Sequence, residues 1–179
     1  MKLLLIRHGQ TDFNIHGILQ CQEIDESLNA EGVKQVREAA KLLPGDIDLI
    51  ISSPLRRTTH TAQIINEVLN KQIELNDDIK ELSCGSLAGK SWSEVVEETG
   101  DKDAEQKDTE IRFDYRDYGG ESAEMLKQRV AKFVEETKLR HPDKKILVST
   151  HGGVIDTMYL LFPRPKAADD NASIHEFDF

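Results

Sequence analysis

The chain has 179 residues, ordinary apolar and charged fractions, and a formal net charge of -10 at pH 7. This length allows one domain with a substantial core, and the acidic balance argues against general nucleic-acid binding, which uses a basic face. No apolar run approaches the length of about 20 residues that crosses a membrane, and the residues after Lys2 do not form a signal peptide. Because an acidic surface repels anions at long range, any phosphate site must be a local positive pocket.

The sequence contains two cysteines, Cys21 and Cys84, which lie far apart and match no metal-binding or redox motif. Such sparse cysteine usage is typical of reduced thiols in a cytosolic protein. We therefore expect free thiols and a cytoplasmic location.

The first predicted strand covers residues 2–7, whose apolar run is typical of a buried parallel strand. His8 follows directly, and ligands bind beyond the carboxyl ends of such strands. Gly9 would let the backbone approach a ligand closely or take a positive φ, and Arg7 offers a planar fork of donors suited to phosphate or carboxylate. An isolated Arg-His-Gly would equally fit a surface turn, so its meaning depends on the rest of the chain.

Residues 8–28 form a long predicted loop, which inside a compact domain is usually functional. Asn29 is a good N-cap for a helix that Pro44-Gly45 ends. Residues 48–52 form a second predicted strand.

Ser53 and Pro54 fit the N-cap and first position of a helix that runs to about Asn70. Residues 72–75 predict a short third strand, and residues 79–84 a possible fourth. A turn punctuated by two glycines then leads to a helix that starts near Ser91.

Residues 101–118 are dense in charge and show no clear period. We interpret them as an irregular, solvated connection, while their aromatic residues and arginines leave room for a lid over a substrate.

Gly119-Gly120-Glu121-Ser122 opens a long helix, residues 145–150 form another strand, and a helix over residues 154–161 follows. The apolar stripe expected to face the core on the long helix comprises Met125, Leu126, Val130, Phe133 and Val134. Residues 173–179 predict a final strand. Strands that alternate with helices indicate one α/β domain over residues 1–179, with a mainly parallel sheet between two helical layers.

Three strand-to-helix junctions end in related polar residues, and a parallel sheet would bring them to one edge. Two histidines, at least two arginines and two helix N-termini would then converge into an anion pocket sized for a phosphoryl group. The junctions are Arg7-His8-Gly9, Ser52-Ser53-Pro54-Leu55-Arg56-Arg57 and Thr150-His151-Gly152-Gly153.

These motifs make the chain resemble the histidine phosphatase superfamily, in its phosphoglycerate-mutase-like branch, over nearly the full length. Five motifs in order at ordinary spacings carry the resemblance. They are Arg7-His8-Gly9-Gln10-Thr11 followed by Asn14, Ser53-Pro54-Leu55-Arg56-Arg57 followed by Thr61-Ala62, Glu81 before Gly85, Gly119-Gly120-Glu121-Ser122, and Ser149-Thr150-His151-Gly152-Gly153.

The resemblance implies that His8 is the nucleophile and becomes phosphohistidine, while Glu81 protonates the leaving oxygen and then activates water. A nucleophilic histidine must be neutral, and nearby cations should lower its pKa from a reference near 6.5. Capture on His8 would divide one hard displacement into two easier ones.

The resemblance also assigns the groups that hold the substrate. The phosphoryl oxygens would be held by Arg7, Arg57 and His151, and the substrate-binding set would add Asn14, Gln20 and Gly152. Arg56 is the alternative to Arg57, which the family pattern selects because it lies directly before the turn that leads to Thr-Ala. Cations here would stabilise the charge that spreads over the transferring oxygens.

The chain departs from the family pattern at three positions outside this clamp. Cys21 stands where a glycine is usual, which puts the shape of the substrate loop in doubt. Ser27 replaces a usual proline, and Ser86 follows Gly85 where an acidic or aromatic residue is common.

Other readings of the same residues remain. Gly85–Ser91 resembles a phosphate-binding P-loop, but three residues rather than four separate its glycines. His8, His151 and Glu81 could form a two-histidine, one-carboxylate metal site, which adjacent arginines would disfavour. A non-enzymatic module that binds a phosphorylated ligand is the third alternative.

Within the family, the choice lies between phosphatase and cofactor-dependent mutase. The segment between Glu81 and Gly119 is short, and Arg112 and Arg116 are separated rather than paired as in family mutases. We therefore predict a phosphatase of small phosphorylated metabolites that needs no metal or other cofactor. A homodimer is the family-based expectation, and the substrate is open among sugar phosphates, phosphoglycerate, phosphoserine, a ribazole phosphate or a broad set.

Overall fold

A five-stranded sheet forms the centre of the computed structural model, which describes residues 1–166, 168 and 170–179. Its strands are β1 (Lys2–Arg7), β2 (Leu49–Ser52), β3 (Ile73–Leu75), β4 (Lys145–Thr150) and β5 (Ile174–Asp178). The order is β3-β2-β4-β1-β5, and only β5 runs antiparallel to its neighbour. The carboxyl ends of β1, β2 and β4 therefore lie side by side.

Helices cover both faces of this sheet. They are α1 (Asp12–His16), α2 (Ala30–Ala40), α3 (Arg56–Leu69), α4 (Trp92–Thr99), α5 (Ala104–Thr109), α6 (Ala123–Arg140) and α7 (Gly152–Leu161). Buried residues of α2 and α3 pack with one apolar cluster, and those of α4 to α7 with the other. Among the described residues, no helix combines the length and apolar character needed to cross a membrane.

The alternation along β1 explains the two layers. Leu3 and Leu5 belong to the cluster on the α6 side, whereas Leu4 and Ile6 belong to the cluster on the α2 side. Successive strand side chains point to opposite faces, so a continuous apolar run must be covered twice. The predicted three-layer α/β/α fold with a mainly parallel sheet is confirmed.

Two predicted element boundaries are wrong. The helix α3 begins at Arg56 with Leu55 as its N-cap, so Ser53 and Pro54 lie before it. The helix α7 begins at Gly152, two residues earlier than expected. Ser53 therefore lies between the end of β2 and the helix, next to the residues at the strand ends.

The predicted strand over residues 79–84 is also wrong. A short 3-10 helix, Asp77–Ile79, and irregular backbone take its place. Arg129 of α6 donates to the carbonyls of Asp78, Lys80 and Glu81 at 2.6 to 2.9 Å. A side chain therefore satisfies backbone acceptors that a neighbouring strand would otherwise have to satisfy.

Two segments expected to be irregular contain helices. The loop over residues 8–28 includes α1, and the segment 101–118 includes α5. Phe113 and Tyr115 of the second segment are buried in the core, so its reading as a solvated connection is wrong. Conversely, Met125 is 45% exposed and does not belong to the buried stripe of α6.

The cysteines also differ from expectation. Cys21 and Cys84 form a disulfide with a Cα–Cα distance of 5.8 Å. Their separation of 63 residues hides this proximity in the sequence. The prediction of two reduced thiols is wrong for this structure.

Candidate active site

The ends of β1 and β4 place His8 and His151 next to each other. Arg7 pairs with Thr150 in the parallel register, so the residue after each strand leaves the sheet at the same edge. The two imidazole rings face each other edge to face, with centroids 5.4 Å apart and planes at 62°. The convergence of the two histidines predicted from the strand ends is confirmed.

The hydrogen bonds of His8 fix its tautomer. Its Nδ1 lies 2.8 Å from the carbonyl oxygen of Gly9, and a carbonyl can only accept. Nδ1 therefore carries the proton, and Nε2 keeps its lone pair. Burial, and then the charges of Arg57 and Arg7, hold the pKa of His8 well below its usual value against the opposing bond to Gly9. The expected neutrality is supported, although burial is a larger cause than the cations.

Gly9 permits a close approach of backbone. A Cβ atom at this position would lie 2.5 Å from the carbonyl oxygen of Gly32 in α2. The Gly9 amide also donates to Thr61 Oγ1 of α3 at 3.2 Å. Gly9 therefore lets α2 pack directly behind His8. The expected positive φ is wrong, and the expected close approach to a ligand stays a prediction.

Arg57 and Arg56 have different environments. Arg57 is 1% exposed and donates through Nη2 to the Cys21 carbonyl at 2.7 Å and through Nη1 to the Ile24 carbonyl at 3.1 Å. Its buried Nε has no hydrogen-bond partner among the described residues. Arg56 is exposed. Of these two arginines, Arg57 is the one whose charge lowers the pKa values of both histidines.

His151 is fully buried and reaches across to β2. Its Nε2 lies 2.8 Å from Ser53 Oγ. Burial first, and then the charges of Arg57 and His8 among others, hold its pKa well below the usual value. Its Nδ1 has no hydrogen-bond partner among the described residues. Sequence reasoning used Ser53 as a helix cap and so missed this contact, although the residue lay within a quoted motif.

A cavity of about 270 Å³ opens beside these residues. Four of the predicted site residues line it, namely Arg7, Gln20, Glu81 and Gly152. Arg7 lies against the start of α7, because a Cβ built on Gly152 would be 3.7 Å from the Arg7 guanidinium carbon. His8, Arg57 and His151 are at most 4% exposed and are not among the described residues that line the cavity.

Glu81 projects toward the start of α7. Its Oε1 accepts from the amide of Leu82 at 2.9 Å, and its Oε2 lies 3.4 Å from the amide of Gly153. A Cβ built on Gly153 would come within 2.5 Å of Glu81 Oε1. The second glycine of the motif therefore makes room for the carboxylate, a role that the sequence reasoning missed.

Asn14 and Gln20 occupy the long loop after β1. Asn14 forms a capping box with Thr11 at the start of α1, and its Oδ1 also accepts from Asn171 at 3.3 Å. The Asn171 amide donates to the His8 carbonyl at 3.1 Å as well, so Asn14 stays close to β1. Gln20 donates to Thr11 Oγ1, and its buried Oε1 has no partner among the described residues.

The cavity wall also contains Asp108 of α5, which the sequence analysis did not single out. Its carboxyl accepts from Tyr115 Oη at 2.7 Å. Burial, reinforced by the nearby charges of Glu81 and Asp156, raises its pKa to about 6, against the lowering effect of the Tyr115 bond. Asp156 lines the cavity too and forms an ion pair with Lys166. The sequence showed Asp108 as one acidic residue among many and gave no sign of its place on the cavity wall.

The alternative readings receive little geometric support. Gly85–Leu87 is a 3-10 turn whose preceding element is the 3-10 helix Asp77–Ile79, whereas a P-loop follows a strand directly. Among the described residues, one cluster has metal-ligand types within 4.8 Å, formed by Cys21, Glu23 and Cys84 rather than by the two histidines and Glu81. Both of its sulfur atoms are engaged in the disulfide.

The arrangement suits the capture of a phosphoryl group. A neutral imidazole with one free lone pair lies beside a buried guanidinium, a second imidazole and a carboxyl group on the cavity wall. The N-terminus of α7 meets the same cavity at Gly152 and adds backbone donors and a partial positive charge.

Comparisons with known proteins agree with this geometry. The metal-independent phosphoserine phosphatase of Arabidopsis thaliana is 33% identical over 97% of this chain and 74% of its own length. Phosphoserine phosphatase 1 of Hydrogenobacter thermophilus is 32% identical over 89% of this chain and 74% of its own length. A mycobacterial glucosyl-3-phosphoglycerate phosphatase, solved with VO3, is 26% identical and superposes with a TM-score of 0.84, covering 98% of this chain and 90% of that one.

A model of branch 1 of the histidine phosphatase superfamily matches residues 3–179. The fold, the order of the motifs and the facing histidines all fall within that match. The chain therefore belongs to the histidine phosphatase superfamily, branch 1.

Proposed function

We propose that this phosphatase removes the phosphoryl group from a small phosphorylated metabolite through a phosphohistidine on His8. The observation that carries the proposal is the pair of facing imidazoles, in which the bond from His8 Nδ1 to the Gly9 carbonyl leaves Nε2 as the nucleophilic atom. Burial keeps this ring neutral and therefore able to attack.

Arg7, Arg57 and His151 are proposed to hold the phosphoryl oxygens during transfer, with Asn14, Gln20 and Gly152 completing the substrate-binding set. One N–H group on each terminal nitrogen of Arg57 bonds a loop carbonyl, and its buried Nε–H has no partner among the described residues. A phosphoryl oxygen would satisfy that donor. Fixed cations that require no rearrangement are the main aid to phosphoryl transfer, because the reaction moves charge onto these oxygens.

Glu81 is proposed as the general acid and then the general base. When His8 Nε2 forms the N–P bond and the P–O bond to the leaving group breaks, Glu81 protonates the departing oxygen. Water then attacks phosphorus, gives its proton to Glu81, and the N–P bond breaks to release orthophosphate. The position of Glu81 on the cavity wall, next to the start of α7, supports this role.

The short segment after Glu81 favours hydrolysis over mutase activity. Arg112 and Arg116 are exposed and form ion pairs with Glu110 and Asp114, and neither arginine lines the cavity. A mutase must hold the carboxylate of its intermediate while the phosphoryl group returns. The two arginines are committed elsewhere in this chain.

The test is a panel of phosphomonoesters scored both for free phosphate and for isomerised product. We expect phosphate release, no transfer to a second hydroxyl of the product, acid-labile phosphate on the protein after rapid mixing, and inhibition by vanadate. Activity should persist in the presence of a chelator, since Arg7 and Arg57 supply the positive charge. An enzyme that is silent until Mg²⁺ or Zn²⁺ is added, or that isomerises without releasing phosphate, would refute the proposal.

We also propose a cytoplasmic location and a homodimer. The cytoplasmic location rested on reduced cysteines, and the disulfide removes that support. Cell fractionation tests the location, and size-exclusion chromatography with light scattering tests the proposed homodimer.

A further inference from the structure

We propose that the Cys21–Cys84 disulfide is a positioning element of the active site, which holds Arg57 in its phosphate-binding orientation. This role deepens the proposed function, because it concerns the same cavity. Both cysteines line that cavity. The disulfide joins the Cys21 loop (residues 19–26) to the Glu81 loop (residues 80–84).

The Cys21 loop is the support on which Arg57 rests. The Cys21 carbonyl accepts a hydrogen bond from Arg57 Nη2 at 2.7 Å, and the Ile24 carbonyl accepts one from Nη1 at 3.1 Å. They are the hydrogen-bond acceptors of this buried side chain among the described residues, and a shift of the loop would rotate the fork. The unpartnered Nε would move with it.

The Glu81 loop is the anchor. Arg129 holds its backbone through the carbonyls of Lys80 and Glu81, and itself forms an ion pair with Glu121 at 3.0 Å. Because the disulfide bonds Cys21 to this anchored loop, it restrains the position of the Cys21 loop. Glu23 adds a weaker link, because its carboxylate accepts from the amide of Cys84 at 3.2 Å and from Ser83 Oγ.

The backbone at Cys21 supports a specific use for this side chain. Its φ is +52°, in the left-handed region where glycine is favoured and other residues are uncommon. A cysteine here accepts an unfavourable conformation and makes a covalent bond across the cavity. Thiol–disulfide exchange can break this bond without changing any other residue, which makes the role testable.

Reduction is a two-electron exchange with a dithiol, either a small molecule or a protein of thioredoxin type. One thiolate of the reductant attacks a sulfur of the disulfide, its second thiol resolves the mixed disulfide, and the reductant leaves oxidised. Cys21 and Cys84 then each carry a proton. The two carbonyls that accept from Arg57 are still present after reduction, but the covalent bond that restrains their position is lost.

The experiment measures orthophosphate affinity and steady-state kinetics across a dithiol redox titration of the whole chain, with free thiols counted at each point. Orthophosphate is the probe because reductants act on vanadate. We expect full reduction to raise the inhibition constant for orthophosphate and the KM about tenfold, with kcat changing less. Reoxidation with an oxidised dithiol should restore both constants.

Cys84→Ser and Cys21→Ser are the matched variants, since each keeps the backbone carbonyls. Both should show the constants of the reduced protein at every redox potential. Thermal unfolding distinguishes a positioning role from a purely stabilising one. If the disulfide only stabilises the fold, its loss would lower the melting temperature and leave orthophosphate affinity at 25 °C unchanged. If a variant does not fold, the redox titration of the unmodified chain still decides.

Several outcomes would overturn the proposal. They are equal orthophosphate affinity in both states, tighter binding on reduction, two free thiols in protein purified without reductant, or redox-dependent constants in either serine variant. Failure of the proposed function is distinguishable, because it would show as no phosphate release in any redox state. Calorimetric titration with orthophosphate would then still test the positioning role.

Discussion

The two ends of the cavity are built in different ways. At one end, Arg7, His8 and His151 lie at or directly after paired strands, and the sheet fixes the distance between them. At the other end, Glu81 and Asp108 lie on segments outside the sheet that side chains hold in place. We call these the phosphoryl end and the leaving-group end.

The two ends are also held by interactions of different range. At the phosphoryl end, backbone pairing and burial fix the two histidines, whereas Arg57 is held by the carbonyls of the Cys21 loop. The leaving-group end depends on Arg129, the Cys21–Cys84 disulfide and the bond from Tyr115 to Asp108. The comparison indicates that the sheet fixes the two histidines, while side-chain contacts and the disulfide fix the loops that carry Glu81 and Cys21.

The largest expected effect breaks the phosphoryl end. His8→Asn keeps a donor that can reach the Gly9 carbonyl but removes the nucleophilic nitrogen. We expect kcat/KM to fall by about 10⁴-fold or more, as for other nucleophile deletions, with the melting temperature nearly unchanged. Steady-state phosphate release and calorimetry check both parts.

The matched control is His60→Asn, a change at a less buried histidine that bonds Ser27. It should retain normal turnover. Activity of His8→Asn within about tenfold of the unmodified enzyme would remove His8 from the nucleophile role, since that loss is far below the usual cost of losing a nucleophile.

The next effect probes the leaving-group end. Glu81→Gln keeps the oxygen that accepts from Leu82 but cannot protonate a departing alkoxide. We expect about 10²- to 10⁴-fold slower turnover of alkyl phosphates and a much smaller loss with p-nitrophenyl phosphate, whose leaving group needs no proton. The slope of log kcat against leaving-group pKa measures this difference.

Glu124→Gln on the exposed face of α6 is the control and should leave that slope unchanged. Equal losses of Glu81→Gln on both substrate types would contradict its role as proton donor.

Gly153→Ala and Gly152→Ala are neighbouring substitutions that affect different ends of the cavity. The first adds a Cβ that would clash with Glu81 Oε1 at 2.5 Å, and the second adds one at 3.7 Å from the Arg7 guanidinium, an ordinary contact. Because a displaced acid misaligns proton transfer, Gly153→Ala should slow alkyl phosphates by about 10- to 100-fold. Its fold should survive, since the clashing atom ends a flexible side chain.

Gly152→Ala should instead leave the leaving-group slope unchanged and alter orthophosphate affinity. Kinetics on the same substrate series measure both variants. Identical patterns would mean that the two ends are not separable at the start of α7.

The phosphoryl end could be predicted from the sequence because its determinants are local. An apolar strand followed by Arg7-His8-Gly9, and another followed by His151-Gly152, define positions that parallel pairing brings together. The sheet and its two helical layers follow from the same apolar runs. Gly9 was expected to let the backbone approach a ligand, and its close contact with Gly32 of α2 was not visible in the sequence.

The leaving-group end could not be predicted in the same way, because its contacts join distant residues. The bonds from Arg129 to the Glu81 loop span 48 and 49 positions, and the disulfide spans 63. Neither has a local pattern. Tyr115 looked like part of a solvated segment because its burial comes from packing against elements far away in the sequence.

The smallest effect is on stability and follows from the opposed titrations of the two ends. Burial lowers the pKa of His8 and His151, so below about pH 6.5 the unfolded chain takes up protons that the folded chain does not. The free energy of unfolding should therefore fall as the pH drops from 7 to 5. Burial raises the pKa of Asp108 to about 6, so the folded chain takes up a proton there and this fall is partly offset.

Denaturant unfolding at pH 5 to 7 measures this balance through two variants. Asp108→Asn removes the compensating uptake and should steepen the decline by about 1 kcal/mol per pH unit between pH 5 and 6. His8→Asn removes one proton that the unfolded chain takes up, and it should make the decline in unfolding free energy shallower by a similar amount. A decline that is unchanged in both variants would mean that these groups titrate alike in the folded and unfolded chain, and burial at the two ends would then not set their charge.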